Sequence, residues 1–149
     1  MNTAQSMPND GPRLRVLICG GSANLAGPDS PFVRSPLVAG IEHVLDIRTA
    51  KSVLEKRAIS AIFLSLLDVG LYEGCDFIFS VRRKYPNVVF VLCVPGELRS
   101  IGGDSFFQGE RSRLLHYYSL DLLTPATHLQ QVVDSRLESC MMDLALSPQ

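Results

Sequence analysis

The chain has 149 residues, 46% of them hydrophobic and 19% charged, with a formal net charge of −1. That length and apolar content fit one domain with a sizeable core. A near-neutral balance gives no electrostatic drive toward nucleic acid or a membrane surface. The basic residues fall in short separate clusters, Arg13 and Arg15, Arg82 to Lys84, then Arg111 and Arg113, and these read as solvated faces.

Residues 1–12, "MNTAQSMPNDGP", are polar, lack the apolar stretch of a secretion signal and read as a disordered leader. No apolar run reaches the ~18 residues that a membrane span needs, so a cytoplasmic setting is expected. One domain is predicted over residues 13–146, with 147–149 as a tail. "RLRVLIC" (Arg13 to Cys19) predicts a first strand that stops at Gly20-Gly21, and "SANLAGPDSP" (Ser22 to Pro31) a loop. Ser30-Pro31 suits a helix start, so a short helix is expected near Phe32 to Gly40, strained by Pro36.

"EHVLDI" (Glu42 to Ile47) predicts a second strand, and Thr49 is expected to cap a helix through "AKSVLEKR". "AIFLSLL" (Ala61 to Leu67) predicts the third strand, and "GCDFIFSVRRKYP" (Gly74 to Pro86) a helix with Phe77, Ile78, Val81 and Tyr85 inward. "NVVFVLCV" (Asn87 to Val94) predicts the fourth strand. The third and fourth are apolar without alternation, the pattern of strands buried on both faces of a parallel sheet. Pro95 to Arg113 is glycine-broken, and "LLHYYSLDLL" (Leu114 to Leu123) holds a fifth strand ended by Thr124-Pro125. Leu129, Val132, Val133, Leu137, Cys140, Met141 and Leu144 then trace one face of a last helix.

Five strands alternating with helices predict a small doubly wound α/β domain with helices on both faces. Its functional edge lies at the carboxyl ends of the strands, where Gly20-Gly21, the residues after Leu66, Cys93 and Thr124 gather. Cys19, Cys75, Cys93 and Cys140 form no C-x-x-C pair and read as reduced, buried thiols. His43, His116 and His128 are isolated from them, so no metal site is expected. Ser22, Ser65 and Cys93 have no recognisable base partner, so no enzymatic activity is expected either.

The segment "AIFLSLLDVGLYEGCDFIFSVRRKYPNVVFVLCV" resembles the third strand, loop glycine, third helix, Tyr-Pro turn and fourth strand of response-regulator receiver domains. "IRTAKSVLEKR" resembles their second-helix region, and "DLLTPATHLQQVVDSRLES" their fifth strand, proline and last helix. The resemblance implies a five-stranded parallel sheet of order 2-1-3-4-5 and a role in two-component signalling. It also shows where the family's chemistry is missing. The acidic pair of a receiver falls on Gly20 and Gly21, the switch Thr or Ser on Cys93, and the lysine on Thr124. Counting back from Gly74, the phospho-acceptor falls on Leu66, while Asp68 lies two places later. Phosphoryl transfer to a carboxylate needs Mg²⁺, and glycines supply no anionic oxygens.

The expected function is therefore that of a degenerate receiver, a pseudo-receiver without cofactor that acts through protein–protein contact. In receivers the fourth helix, fifth strand and fifth helix form the dimer and partner face. Here that face is expected to include Leu115, Tyr117, Tyr118, Leu120, Leu137 and Met141, giving a homodimer or a protein complex. No output domain is expected, since one fold consumes the chain. Two alternatives stay open: a small-ligand or nucleotide-binding flavodoxin-like domain using the Gly20–Gly27 loop, and a phosphorylatable receiver using Asp68.

Overall fold

A computed structural model of the chain describes residues 13–21, 25–96, 114 and 116–146. The leader at 1–12, residues 22–24 of the Gly20–Gly27 loop, the segment 97–113, Leu115 and the tail at 147–149 lie outside these. Strands β1 (Leu14–Cys19), β2 (Val38–Val44), β3 (Ala61–Ser65), β4 (Val89–Val94) and β5 (Tyr118–Asp121) form one sheet of order β2-β1-β3-β4-β5. All four pairings are parallel. Helices are α1 (Ile47–Lys56), the single turn α2 (Leu66–Val69), α3 (Leu71–Lys84) and α4 (Ala126–Leu146).

Successive strand residues point to opposite faces, so each central strand feeds two cores. On one face Leu17, Leu64 and Leu92 pack against Ala50 and Leu54 of α1 and Phe77, Ile78 and Val81 of α3. On the other, Val16, Ile18, Phe63, Val91 and Leu120 pack against Val133, Leu137 and Cys140 of α4. The whole predicted stripe of the last helix packs on this second core. Among the described residues, no helix is long and apolar enough to cross a membrane.

The first crossover departs from expectation. No helix forms near Phe32 to Gly40; residues 31–34 and 36–37 are turns and Val38 already begins β2. Two prolines remove backbone donors here, and strand pairing with β1 recruits the segment from Val38 onward. The turns are held by side-chain bonds: the Ser30 hydroxyl donates to Leu25 O and accepts from Phe32 N–H, and Ser35 Oγ accepts from Leu37 N–H. Phe32 does the burying that a helix would do. Its ring meets Phe63 edge-on with centroids 4.7 Å apart.

Several boundaries also move. The second strand ends at Val44 rather than Ile47, because Asp46 and not Thr49 caps α1; its Oδ1 accepts the Thr49 N–H at 2.8 Å. That bond holds the Asp46 carboxyl below the ordinary carboxylate range. The third strand ends at Ser65, and Leu66 opens α2. Gly70 adopts φ +97° between α2 and α3, a left-handed conformation that lets one helix restart directly after the other.

Candidate functional site

The carboxyl edge of the sheet brings together the ends of β1, β2 and β3. Gly20 N–H donates to Val44 O at 2.9 Å, and His43 Nε2 lies 2.8 Å from Gly20 O. Since the carbonyl can only accept, Nε2 of His43 carries the hydrogen. From the other side, Asp68 Oδ2 accepts both the Gly21 N–H at 3.0 Å and the Ser65 hydroxyl at 2.8 Å. The glycine pair is thus fastened to β2 on one flank and to the β3–α2 junction on the other.

Gly20 is required by both conformation and space. Its φ is +126°, and a Cβ built there would overlap the Cβ of Ser65. A side chain at position 20 has nowhere to go. Next to it, Gly21 offers its amide to Asp68 rather than a carboxylate to a cation.

Leu66, where the count back from Gly74 falls, does not join this cluster. It is fully buried in the core with α3 and fills the space beside Gly74. The reason is the turn of α2: leaving the strand at Ser65 rotates Leu66 inward and brings Asp68, three residues on, back over Ser65. Asp68 itself is exposed, and Ser65 is buried beneath it.

Cys93 pairs across the ladder with Ser65 but sits in the α4-side core, its thiol directed weakly at Val91 O, 3.9 Å away. Burial pushes that thiol far above its ordinary value. Thr124 closes the turn after β5, its Oγ1 donating to Asp121 O at 2.6 Å. Asp121, which sequence reasoning passed over, clamps β4 to β5: its Oδ1 accepts from Gly96 N–H at 2.7 Å and Leu123 N–H at 2.8 Å. Its signal was an Asp at a strand end before a Thr-Pro turn. Ser65 and His43 also went unrecognised as site residues. Among the described residues, no group of three or more His, Cys, Asp or Glu is placed to hold a metal ion.

The expected partner face is partly core. Leu120 and Leu137 are fully buried between β5 and α4, so they pack the fold and present nothing outward. Both belong to the apolar lining that any strand–helix contact needs. Met141 is half-buried against the same core. Tyr117 meets Phe90 edge-on with centroids 6.1 Å apart and lies under the Arg82 guanidinium. The Tyr118 hydroxyl donates to Asp143 Oδ1 at 2.9 Å, which holds the phenol above its ordinary range. Leu123, Met142 and Leu146 carry the exposed apolar surface of this side.

Solved receiver domains are similar to this chain. The signal receiver domain of a putative LuxO repressor protein from Vibrio parahaemolyticus matches with a TM-score of 0.63 at 18% identity, covering 92% of this chain and 99% of that one. The signal receiver domain of an HD domain-containing protein from Pseudomonas fluorescens Pf-5 matches with a TM-score of 0.61 at 15% identity, covering 87% and 98%. The response regulator domain of CheB from Thermotoga maritima follows with a TM-score of 0.55 at 16% identity, covering 91% and 99%. No protein-family model and no curated protein matches the chain. The chain has a receiver-like fold, a doubly wound α/β sheet of order 2-1-3-4-5.

Proposed function

We propose that this receiver-like domain carries no phosphoryl group, has no enzymatic activity, and signals in the cytoplasm by contact with a protein partner or a second copy of itself. The observation that carries the reading is the engagement of Asp68. Its Oδ2 is held by the Gly21 amide and the Ser65 hydroxyl, at the place where two glycines replace an acidic pair. Two further residues support it. Thr124 is spent on its own turn and brings no cation, and Cys93 brings no hydroxyl. Among the described residues, Asp68 alone offers a carboxylate beside the glycine pair, too few anionic ligands to recruit the Mg²⁺ that neutralises charge in acyl-phosphate formation.

The same bond weighs against a nucleotide at the glycine loop. An anion seeking the Gly21 amide would have to displace the Asp68 carboxylate and tolerate its charge. The partner surface, on this reading, is the β5–α4 side through Tyr117, Tyr118 and the half-buried Met141, with Leu120 and Leu137 beneath it as support.

Incubation of the intact chain with Mg²⁺ and acetyl phosphate, followed by intact mass measurement, tests the proposal. The expected spectrum shows the unmodified chain. A phosphoryl adduct that disappears in Asp68→Asn would overturn the reading and make Asp68 an acceptor.

A further inference from the structure

The end of the sheet opposite the glycine loop carries a groove that the proposed function does not use. It forms where α1 and α3 finish and where β3 and β4 begin. A cleft of about 600 Å³ has a floor of Leu54, Ile59, Tyr85, Val88 and Leu144. A hollow of about 110 Å³ between α1 and α3 continues it, sharing Leu54, Lys84 and Tyr85. Arg57 and Lys84 line the larger part and Lys51 the smaller, whereas Glu55 is the one carboxylate among the described lining residues.

The cations complement the carbonyl ends of the helices, since Lys56 lies in the last turn of α1 and Arg82, Arg83 and Lys84 in that of α3. That role alone does not account for the apolar floor between them. Lys84 Nζ lies 5.6 Å from the centroid of the Tyr85 ring, so the ammonium stands over the aromatic wall of the groove. Among the described residues, neither Lys51 nor Lys84 has an ion-pair partner, and Arg57 shares its charge only with Glu42 at 3.4 Å while its side chain stays over half exposed. In a chain of net charge −1, this end collects positive charge around an apolar slot.

The geometry points to a docking groove for an acidic protein segment that carries one aliphatic or aromatic anchor residue. The anchor enters the slot over Ile59 and Val88, and the flanking carboxylates meet Lys51, Arg57 and Lys84. The spread of the cations favours a peptide over a fatty acid. A single head group offers one negative charge, but these three cations lie on α1, on the residue that follows it and on α3, and line two adjoining hollows. This surface is remote from Asp68 and its occupancy is independent of whether that residue takes phosphate.

Selection of a displayed random peptide library on the intact chain tests the inference, followed by fluorescence anisotropy with the enriched synthetic peptides. Enriched sequences should be rich in Asp and Glu around a single Leu or Phe. Lys51→Glu with Lys84→Glu should weaken their binding by about tenfold or more, as reversal of contact charges does. Ala58→Trp, which fills the slot and leaves the cations in place, should weaken it as well. Circular dichroism checks that the variants are folded, and Lys84→Gln replaces the double reversal if that one is not. Enrichment without acidic bias, or binding unchanged by these substitutions, overturns the inference. So does dodecanoate binding that displaces the peptides and is lost in Ala58→Trp, which would make the slot a lipid site.

Discussion

Asp68 and Gly21 lie 47 residues apart in the chain, yet the carboxylate of one receives the amide of the other at 3.0 Å. The bond crosses from the end of β1 to the turn after β3, and the Ser65 hydroxyl joins it on the same oxygen. A bond from a neutral donor to an ionised acceptor is stronger than a neutral pair. Here that strength fastens a loop.

Removing this fastener should loosen the glycine pair without unfolding the domain. Asp68 is exposed, so solvent competes for its carboxylate, and we expect Asp68→Ala to cost about 1 kcal/mol. Asp68→Asn keeps an acceptor and should cost less. Urea unfolding measures the loss, and hydrogen exchange at Gly21 should accelerate in Asp68→Ala. Unchanged exchange at that amide would show that the bond contributes nothing.

Gly20→Ala should be far more damaging than its size suggests. The new Cβ carries the strain of φ +126° and overlaps Ser65. Together these should cost about 2–4 kcal/mol. The overlap, but not the strain, is relieved in a Ser65→Gly background. A double-mutant cycle should therefore show favourable coupling between the two positions, and strict additivity would contradict the contact.

Phe32 tests the turn-built crossover. Its ring is fully buried against Phe63, so Phe32→Ala should cost about 3–5 kcal/mol. The adjacent Val33 is 59% exposed, and Val33→Ala should change stability by no more than about 0.5 kcal/mol. Equal effects on thermal unfolding would mean that the segment does not pack as described.

Alkaline pH should weaken the fold through its thiols. Burial raises Cys19 and Cys140 from 9.0 to about 12, with Asp46 and Asp143 adding smaller upward contributions, and raises Cys93 further. Below pH 9 these thiols stay protonated whether the chain is folded or not, and stability owes them no pH dependence. Between about pH 9 and 12 the unfolded chain releases protons that the folded chain keeps, so stability falls as pH rises. The slope approaches about 1.4 kcal/mol per pH unit for each titrating thiol. Thermal melts from pH 7 to 10.5 should show a plateau and then a decline that is shallower in Cys93→Ala. A thiol-specific chromogenic reagent should react slowly with the native chain at pH 8 and with all four cysteines once it is denatured. Rapid native labelling would contradict the burial.

The buried parts of this fold were legible because hydrophobic periodicity is a direct record of burial. The apolar runs at Ala61 and Val89 and the stripe from Leu129 to Leu144 became two-faced strands and a packed helix. Reading failed where local preference met a competing partner. Ser30-Pro31 looks like a helix start, but Val38 finds a strand to pair with and Phe32 finds a ring. Spacing alone could not separate an interface from a core, which is why Leu120 and Leu137 were misplaced. The site was half legible: Gly20, Gly21 and Asp68 were singled out, but their bond depends on the turn of α2, which a residue count cannot show. Ser65 acts through hydroxyl geometry that leaves no mark at the level of residue type, whereas Asp121 carried a signal, its place before a Thr-Pro turn, that was passed over.

The glycine at position 20 also constrains the order in which this chain can change. An acidic side chain placed there first meets the Ser65 Cβ and an adverse backbone angle together. The neighbour would have to shrink beforehand, at the cost of a buried strand residue, and the loop would then have to be rebuilt around a new φ. A library saturated at positions 20 and 65 together should accordingly recover acidic residues at 20 only alongside Gly at 65. An acidic side chain can therefore enter this loop only through coordinated changes at position 20, its neighbour Ser65 and the backbone between them.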